Sequence, residues 1–392
     1  MLRSTALVRF LIRPGLAASA VGRRCVLSAS APRLGDGPCS RSWISTNSRH
    51  PPSPQQPIST IRQPFSTLST SQPPANTHVN GDTTTRSLID ELSHATNHDR
   101  DDAIFELRFL VQHVLTPPTP NGVVPKDTEK PPAPSANGLA AIISTFIPSQ
   151  LAHLRALIRA RVEDHTPLQY LLGSVPFAPD LDLLVEPPIL IPRWETEEWA
   201  LRVADAWFPH SPSVVEDWCT GSGCIALLLK SHFGRFTRVT GFDLNPAAID
   251  LARRNADRNA LDVKFHVADV LTDLPRVPGV DLVVANPPYI AASEFTRLEP
   301  GVRDWEDRLA LVGRGESGAE DYRRLVEIAH ARLSNTWRDV RVPRIALEIG
   351  HDQGEMVKGM VEAWFDEVEV WQDLAGKDRC VVGYHRKPDA KK

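Results

Sequence analysis

Between Val214 and Tyr384, short apolar runs alternate with amphipathic segments, and that alternation leaves few folds open. Strand-length runs occur at Val214–Trp218, Arg238–Asp243, Val263–Val267, Asp281–Ala285, Ile345–Ile349, Val368–Trp371 and Arg379–Tyr384. Helical patterns lie at Cys224–Phe233, Pro246–Asn255, Ala319–Asn335 and Gln353–Trp364. Such an order predicts an α/β fold, a mostly parallel sheet of seven strands covered on both faces. The link between the last two runs is too short for a crossover helix, so they are expected to pair antiparallel.

Upstream, residues 86–165 read as helical. Ile104, Leu107, Leu110, Val111 and Val114 share one face, and Leu151, Leu154, Leu157, Ile158 and Val162 another. A Pro-rich polar insert at 117–137 interrupts them and is expected to be a surface loop. Residues 166–196 carry seven Pro or Gly positions from Pro167 to Pro192 and read as a connector, with Leu181–Val185 suggesting a hairpin. The catalytic domain is expected over 197–386.

The first fifty residues carry eight arginines against one acid, Asp36, with many Ser and Ala and no run able to span a bilayer. That composition predicts a mitochondrial transit peptide, and with it a matrix location. Residues 51–85 are rich in Pro, Ser, Thr and Gln, bury too little apolar surface to offset ordering entropy, and are expected to be a disordered linker. Beyond residue 82 stand 35 basic and 46 acidic residues, a net charge of −11. A body this acidic argues against general nucleic-acid binding and for a protein or small-molecule substrate. Cys219, Cys224 and Cys380 form no zinc-ligand pattern or disulfide framework, so no metal is expected.

Open α/β sheets bind ligands at the carboxyl ends of their strands. After the first strand comes Cys219-Thr220-Gly221-Ser222-Gly223, a turn that opens a helix and lets the backbone approach a ligand closely. Alone it could serve a dinucleotide, a phosphate or only a tight corner. The second strand ends in Asp243, placed to accept a ribose diol or to cap the following helix. The pattern D-x-x-T-G-S-G is not G-x-G-x-x-G, so pyrophosphate is not obviously accommodated and S-adenosylmethionine is preferred over NAD. Asp269 and Val270 follow the third strand. Asp269 can take an adenine amine or be a solvated turn residue.

Asn286-Pro287-Pro288-Tyr289 follows the fourth strand. Two prolines cannot continue a ladder, so the chain leaves in a stiff turn that presents an amide, free carbonyls and an aromatic face. Those groups suit a planar nitrogen. Asn286 and the Pro287 carbonyl would accept its hydrogens while Pro288 and Tyr289 complete the contact, with Tyr289 stacking on the plane. The nitrogen could be an amide –NH2 or a nucleobase amine; an amide nitrogen is a poor nucleophile, for which fixed placement and stabilisation of developing positive charge matter more than a general base. His266 and His351 are accordingly expected to be surface residues.

The order of glycine turn, two strand-end acids and Asn-Pro-Pro-Tyr resembles the class I methyltransferases, Rossmann-like enzymes that act on amino nitrogens. Within them the chain resembles the release-factor glutamine methyltransferases of the PrmC/HemK type. Pro167–Gly173, Leu190–Glu197, Leu347–Gly354 and Asp373–Arg379 match that family's signature segments. The resemblance covers about 166–384 well, the helical region loosely and residues 1–85 not at all. It implies S-adenosylmethionine as cofactor, held by Cys219, Thr220, Gly221, Ser222, Gly223, Asp243, Asp269, Val270 and Asn286. It also implies that the substrate is the Gly-Gly-Gln glutamine of a class 1 peptide chain release factor, here a mitochondrial one, and that residues 86–165 recognise it. Arg193, Glu195 and Thr196 would lie near the active-site mouth, touching substrate or holding the connector to the catalytic domain. Two positions depart from the family: Cys219 replaces a usual glycine, and Val270 stands where bacterial members often carry an aromatic. A monomer without a membrane span or direct nucleic-acid contact is expected. The rival readings are a DNA or RNA amino-methyltransferase and a non-catalytic mitochondrial assembly factor that has kept the fold.

Overall fold

Apolar spacing and turn chemistry account for most elements of the computed structural model, which describes residues 81–96, 99–116, 135–274, 279–337 and 339–388. The expected transit peptide, most of the expected linker and most of the insert lie outside those residues. Four helices come first: α1 (Gly81–Thr96), α2 (Arg100–Leu115), α3 (Ala136–Ile143) and α4 (Pro148–Glu163). They close around Leu88, Ile89, Leu92, Leu107, Leu110, Leu139 and Leu154. Asp99 caps α2 by accepting the Asp102 N–H at 2.9 Å. Glu106, buried in this bundle, is held by a two-pronged contact from Arg161, both at 2.9 Å, which offsets the cost of burying its charge.

Two boundaries of this helical module differ from expectation. Helix α1 begins at Gly81, inside the stretch 51–85 expected to lack order, and α3 begins at Ala136, inside the insert bounds. The start of α1 has no apolar period of its own; Leu88, Ile89 and Leu92 are carried by packing against the other helices.

A short helix α5 (Leu168–Leu172) ends at Gly173, whose φ of 76° gives a left-handed cap. Strands β1 (Ser174–Phe177) and β2 (Leu181–Leu184) then form an antiparallel hairpin. Helix α6 (Trp194–Ala206) follows, starting inside the segment read as connector. Its buried face is Thr196, Trp199, Ala200, Val203 and Ala204, a helical spacing masked in the sequence by Pro187, Pro188 and Pro192 just upstream.

The remaining elements are β3 (Val214–Trp218), α7 (Cys224–Phe233), β4 (Arg238–Asp243), α8 (Pro246–Arg258), β5 (Lys264–Val267), β6 (Leu282–Ala285), α9 (Pro300–Arg303), α10 (Arg308–Leu311), α11 (Glu320–Arg332), β7 (Ile345–Glu348), α12 (Gly354–Glu362), β8 (Val368–Gln372) and β9 (Asp378–Gly383). The sheet order is β5-β4-β3-β6-β7-β9-β8, with β9 antiparallel to both neighbours and the other pairings parallel. This is the seven-stranded class I methyltransferase, Rossmann-like fold. Along β6, Leu282 and Val284 pack with α6, α7 and α8, while Val283 and Ala285 pack with α11 and α12. All four are buried, which is why the run reads as continuously apolar. The strand order reverses between β3 and β6, and the crevice outside their carboxyl ends is where this architecture places ligands.

Candidate active site

Four adjacent strands deliver the candidate residues to one edge. In register, Trp218 at the end of β3 lies beside Phe242 of β4 and Ala285 of β6, and Asp243 lies beside Val267 of β5. The turn 219–223, Asp243, Asp269-Val270 and Asn286–Tyr289 each follow or end one of those strands.

The glycine turn is held from below by Asp217, which is fully buried. Its Oδ2 accepts the Thr220 hydroxyl at 2.5 Å and the Ala226 N–H at 3.1 Å, tying the turn to the start of α7. Its Oδ1 has no partner within the described residues. Burial pushes this carboxyl up to about 7, more than its two donors pull it down, and the charge of Asp243 adds to the rise. Gly223 has φ 82°, and a Cβ there would sit 3.0 Å from the Phe265 ring and 3.1 Å from Ala252. Only glycine satisfies both demands. Cys219 also has positive φ, 57°, at the position where a glycine would be unstrained.

Asp243 does not cap α8. The cap is Asn245, whose side chain accepts the Ala247 N–H at 2.9 Å. Asp243 instead takes the Gly221 N–H on Oδ2 and the Asn245 N–H on Oδ1, both at 2.8 Å. Each oxygen retains a lone pair for an incoming hydroxyl. Burial raises its pKa despite those donors. Leu244 beside it is 62% exposed and offers an apolar surface at the same lip. Asp269 turns its own chain, its Oδ1 accepting the Leu271 N–H at 2.9 Å. Its Oδ2 carries no hydrogen bond among the described residues, so the turn role leaves that oxygen open. Val270 is buried against Trp218 and Tyr322.

The electrostatics favour a cation. The Cys219 thiol is driven well above its ordinary value by burial, and the carboxylates of Asp243, Asp217, Asp321 and Asp269 act in the same direction. Arg314 offsets part of this field by pairing with Asp321 at 3.3 Å. An acidic turn suits a positively charged cofactor and opposes a pyrophosphate.

At the end of β6, Asn286 is half-buried and its carboxamide makes no hydrogen bond among the described residues. The Pro287 carbonyl likewise meets no donor among them. The other end of the tetrapeptide is held firmly. The Tyr289 carbonyl accepts from Gln353 Nε2 at 2.9 Å, and its hydroxyl reaches Glu348 Oε1 at 3.4 Å. Burial, then the Glu348 charge, raises the Tyr289 pKa, so the phenol stays neutral. His266 and His351 are both exposed, as expected.

The methyltransferase small domain family matches residues 207–298, which contain the glycine turn, Asp243 and Asn286–Tyr289. A release factor glutamine methyltransferase of Geobacter sulfurreducens is 38% identical over 241 residues, 60% of this chain and 79% of that protein. The chain belongs to the release factor glutamine methyltransferase family. Its Moorella thermoacetica namesake is 39% identical over 224 residues, covering 56% of this chain and 75% of the relative. A Schizosaccharomyces pombe protein called a probable MRF1 mitochondrial N(5)-glutamine methyltransferase, mtq1, is 32% identical over 57% of this chain and 76% of its own length.

Segments 190–199, 347–354 and 373–379 meet at this edge of the sheet. Arg193 pairs with buried Glu306 at 2.5 and 2.6 Å. Thr196 and Trp199 donate to Glu348 Oε2 at 2.6 and 2.8 Å, and Glu195 lies 3.8 Å from Arg379. These contacts fasten the connector to the catalytic domain. Residue-by-residue reading missed Asp217, Glu348, Gln353 and Asn255. Asn255 is fully buried, exchanges hydrogen bonds with the backbone of Leu184 at 2.7 and 3.1 Å, and donates to the Ser222 carbonyl at 3.0 Å. The sequence signal for Glu348 and Gln353 was their place in a signature segment; Asn255 carried none.

Proposed function

We propose that this protein methylates the side-chain amide nitrogen of the glutamine in the Gly-Gly-Gln motif of a class 1 peptide chain release factor. The observation that carries the reading is a pair of acceptors with no partner among the described residues, the Asn286 carboxamide oxygen and the Pro287 carbonyl, at a strand end adjoining an acidic glycine turn. S-adenosylmethionine, when bound, supplies a methyl group on a positively charged sulfonium. The main chain of Cys219, Thr220, Gly221, Ser222 and Gly223 would line it, Asp243 would accept its ribose hydroxyls, and Asp269 and Val270 would meet its adenine. The substrate glutamine gives its two N–H hydrogens to Asn286 and Pro287, which orients the nitrogen and stabilises the positive charge that builds there. Tyr289, neutral and gripped at both ends, offers its ring to the amide plane beside Pro288. The proton leaves after charge has developed, so no strong base is required.

Helices α1 to α4 serve as the substrate-recognition module in this reading. The arginine-rich, acid-poor first fifty residues and the printed name of the fission yeast relative support a mitochondrial release factor as substrate and the matrix as location.

Purified protein incubated with methyl-labelled cofactor should label release factor and leave DNA unlabelled. Asn286→Ala should lower kcat about 100- to 1000-fold, as for loss of one preorganised transition-state partner, and weaken cofactor binding by far less than that. Label on DNA alone would overturn the assignment.

A further inference from the structure

Neither Pro287 nor Pro288 has an N–H, so the tetrapeptide cannot anchor itself through main-chain donors at its centre. Besides the Tyr289 hydroxyl, the hold on it runs through the Tyr289 carbonyl. Gln353, at the entry to α12 and 6% exposed, supplies that hold. Its Oε1 accepts the Gly350 N–H at 2.9 Å, while Nε2 donates to the Tyr289 carbonyl at 2.9 Å and to the Ser317 carbonyl at 3.1 Å. One carboxamide thereby joins the exit of β7, the last residue of the tetrapeptide and the glycine-rich segment 313–318. That segment packs against the Tyr289 and Pro288 carbonyls. A Cβ at Gly318 would lie 2.5 Å from the Tyr289 oxygen, and one at Gly313 would lie 2.7 Å from the Pro288 oxygen. The strap is completed by Ile290 N–H to the Leu311 carbonyl at 2.9 Å and Gly313 N–H to the Ile290 carbonyl at 3.1 Å.

We propose that Gln353 is a positioning residue: by fixing the Tyr289 carbonyl against segment 313–318, it aims the Asn286 carboxamide and Pro287 carbonyl at the substrate amide. Both of its amide hydrogens and its oxygen are engaged within the protein. The kinetic consequence rests on the proposed glutamine methylation; the structural consequence does not.

Two variants separate positioning from space filling. Gln353→Met keeps the volume and removes every hydrogen bond. It should lower kcat for release factor about 10- to 100-fold, with cofactor affinity and KM within about threefold. Amide exchange at Ile290 and Gly313 should quicken about tenfold or more while the β3 and β6 amides stay protected. Gln353→Glu keeps the shape but sets a carboxylate against two carbonyl oxygens, so it should be slower than Gln353→Met. Filling space alone predicts near-wild-type kcat and exchange in Gln353→Met. Wild-type kcat and exchange in Gln353→Met, or a faster Gln353→Glu, would overturn the proposal. Should the unaltered protein transfer no methyl to release factor, the functional reading falls, and the exchange comparison still decides the role of Gln353.

Discussion

Replacing Asp217 by asparagine should change how the protein's stability depends on pH. Asp217 lies fully buried under the glycine turn, with Oδ2 engaged by Thr220 and Ala226 and Oδ1 without a partner among the described residues. Its carboxyl titrates at about 7 in the folded chain against an ordinary value of 3.8. The folded state therefore holds the proton more tightly than the unfolded state. The stabilisation is complete below pH 3.8 and is lost as pH rises through 7. At about 1.4 kcal/mol per pH unit, roughly 2–3 kcal/mol disappears between pH 5 and pH 8 through this one group. Asp217→Asn preserves an oxygen for Thr220 and Ala226 and cannot ionise. Its amide nitrogen inherits the unpartnered position of Oδ1, at a cost of about 1–3 kcal/mol that does not vary with pH. Asp243, Glu306 and Glu348 are also raised by burial and slope the same way in both proteins. The informative quantity is thus the difference between the two proteins in urea-unfolding free energy, followed from pH 5 to pH 8. It should move in favour of the variant by about 2–3 kcal/mol. A difference that stays flat within about 0.5 kcal/mol would refute a protonated, unpartnered carboxyl beneath the turn.

Cys219→Gly relieves a left-handed residue at φ 57°. It should stabilise the fold by about 0.5–1 kcal/mol net of glycine's added entropy, raising Tm by about 1–4 °C in a thermal scan; a fall would mean that the thiol contributes packing the backbone argument omits. Asn255→Leu strands the Leu184 N–H and the carbonyls of Leu184 and Ser222, and should cost about 2–4 kcal/mol by urea unfolding. A loss under about 0.5 kcal/mol would show that the hairpin and the turn do not depend on this residue. Asp243→Ala removes the charged acceptor at the tip of β4 and should weaken S-adenosylmethionine about 30- to 1000-fold by calorimetry. Unchanged affinity would remove Asp243 from the cofactor site.

The middle of the sheet was legible because β6 and β7 are buried along their whole length, and β6 therefore reads as continuously apolar, Leu282-Val283-Val284-Ala285. The candidate turns were legible because glycine and proline impose backbone geometry locally, whatever lies around them. Helix α6 escaped because three prolines upstream obscured the Trp199–Val203 and Thr196–Ala200–Ala204 spacing. The polar supports escaped for a different reason. Glu348 meets Thr196 across 152 positions and Gln353 meets Tyr289 across 64. A buried carboxylate or amide reads in sequence like a surface one until the fold brings its donors to it. Asp243 shows the converse: the residue was legible, but only the structure separates a strand-tip acceptor from a helix cap, because the cap is taken by Asn245.

Tandem mass spectrometry of the release factors, isolated from cells with and without this protein, tests the central claim most directly. The Gly-Gly-Gln peptide should carry one methyl on the glutamine side chain when the protein is present and lose that mass when it is absent or bears Asn286→Ala. A peptide that keeps its methyl without the protein, or never carries one with it, would contradict the assignment.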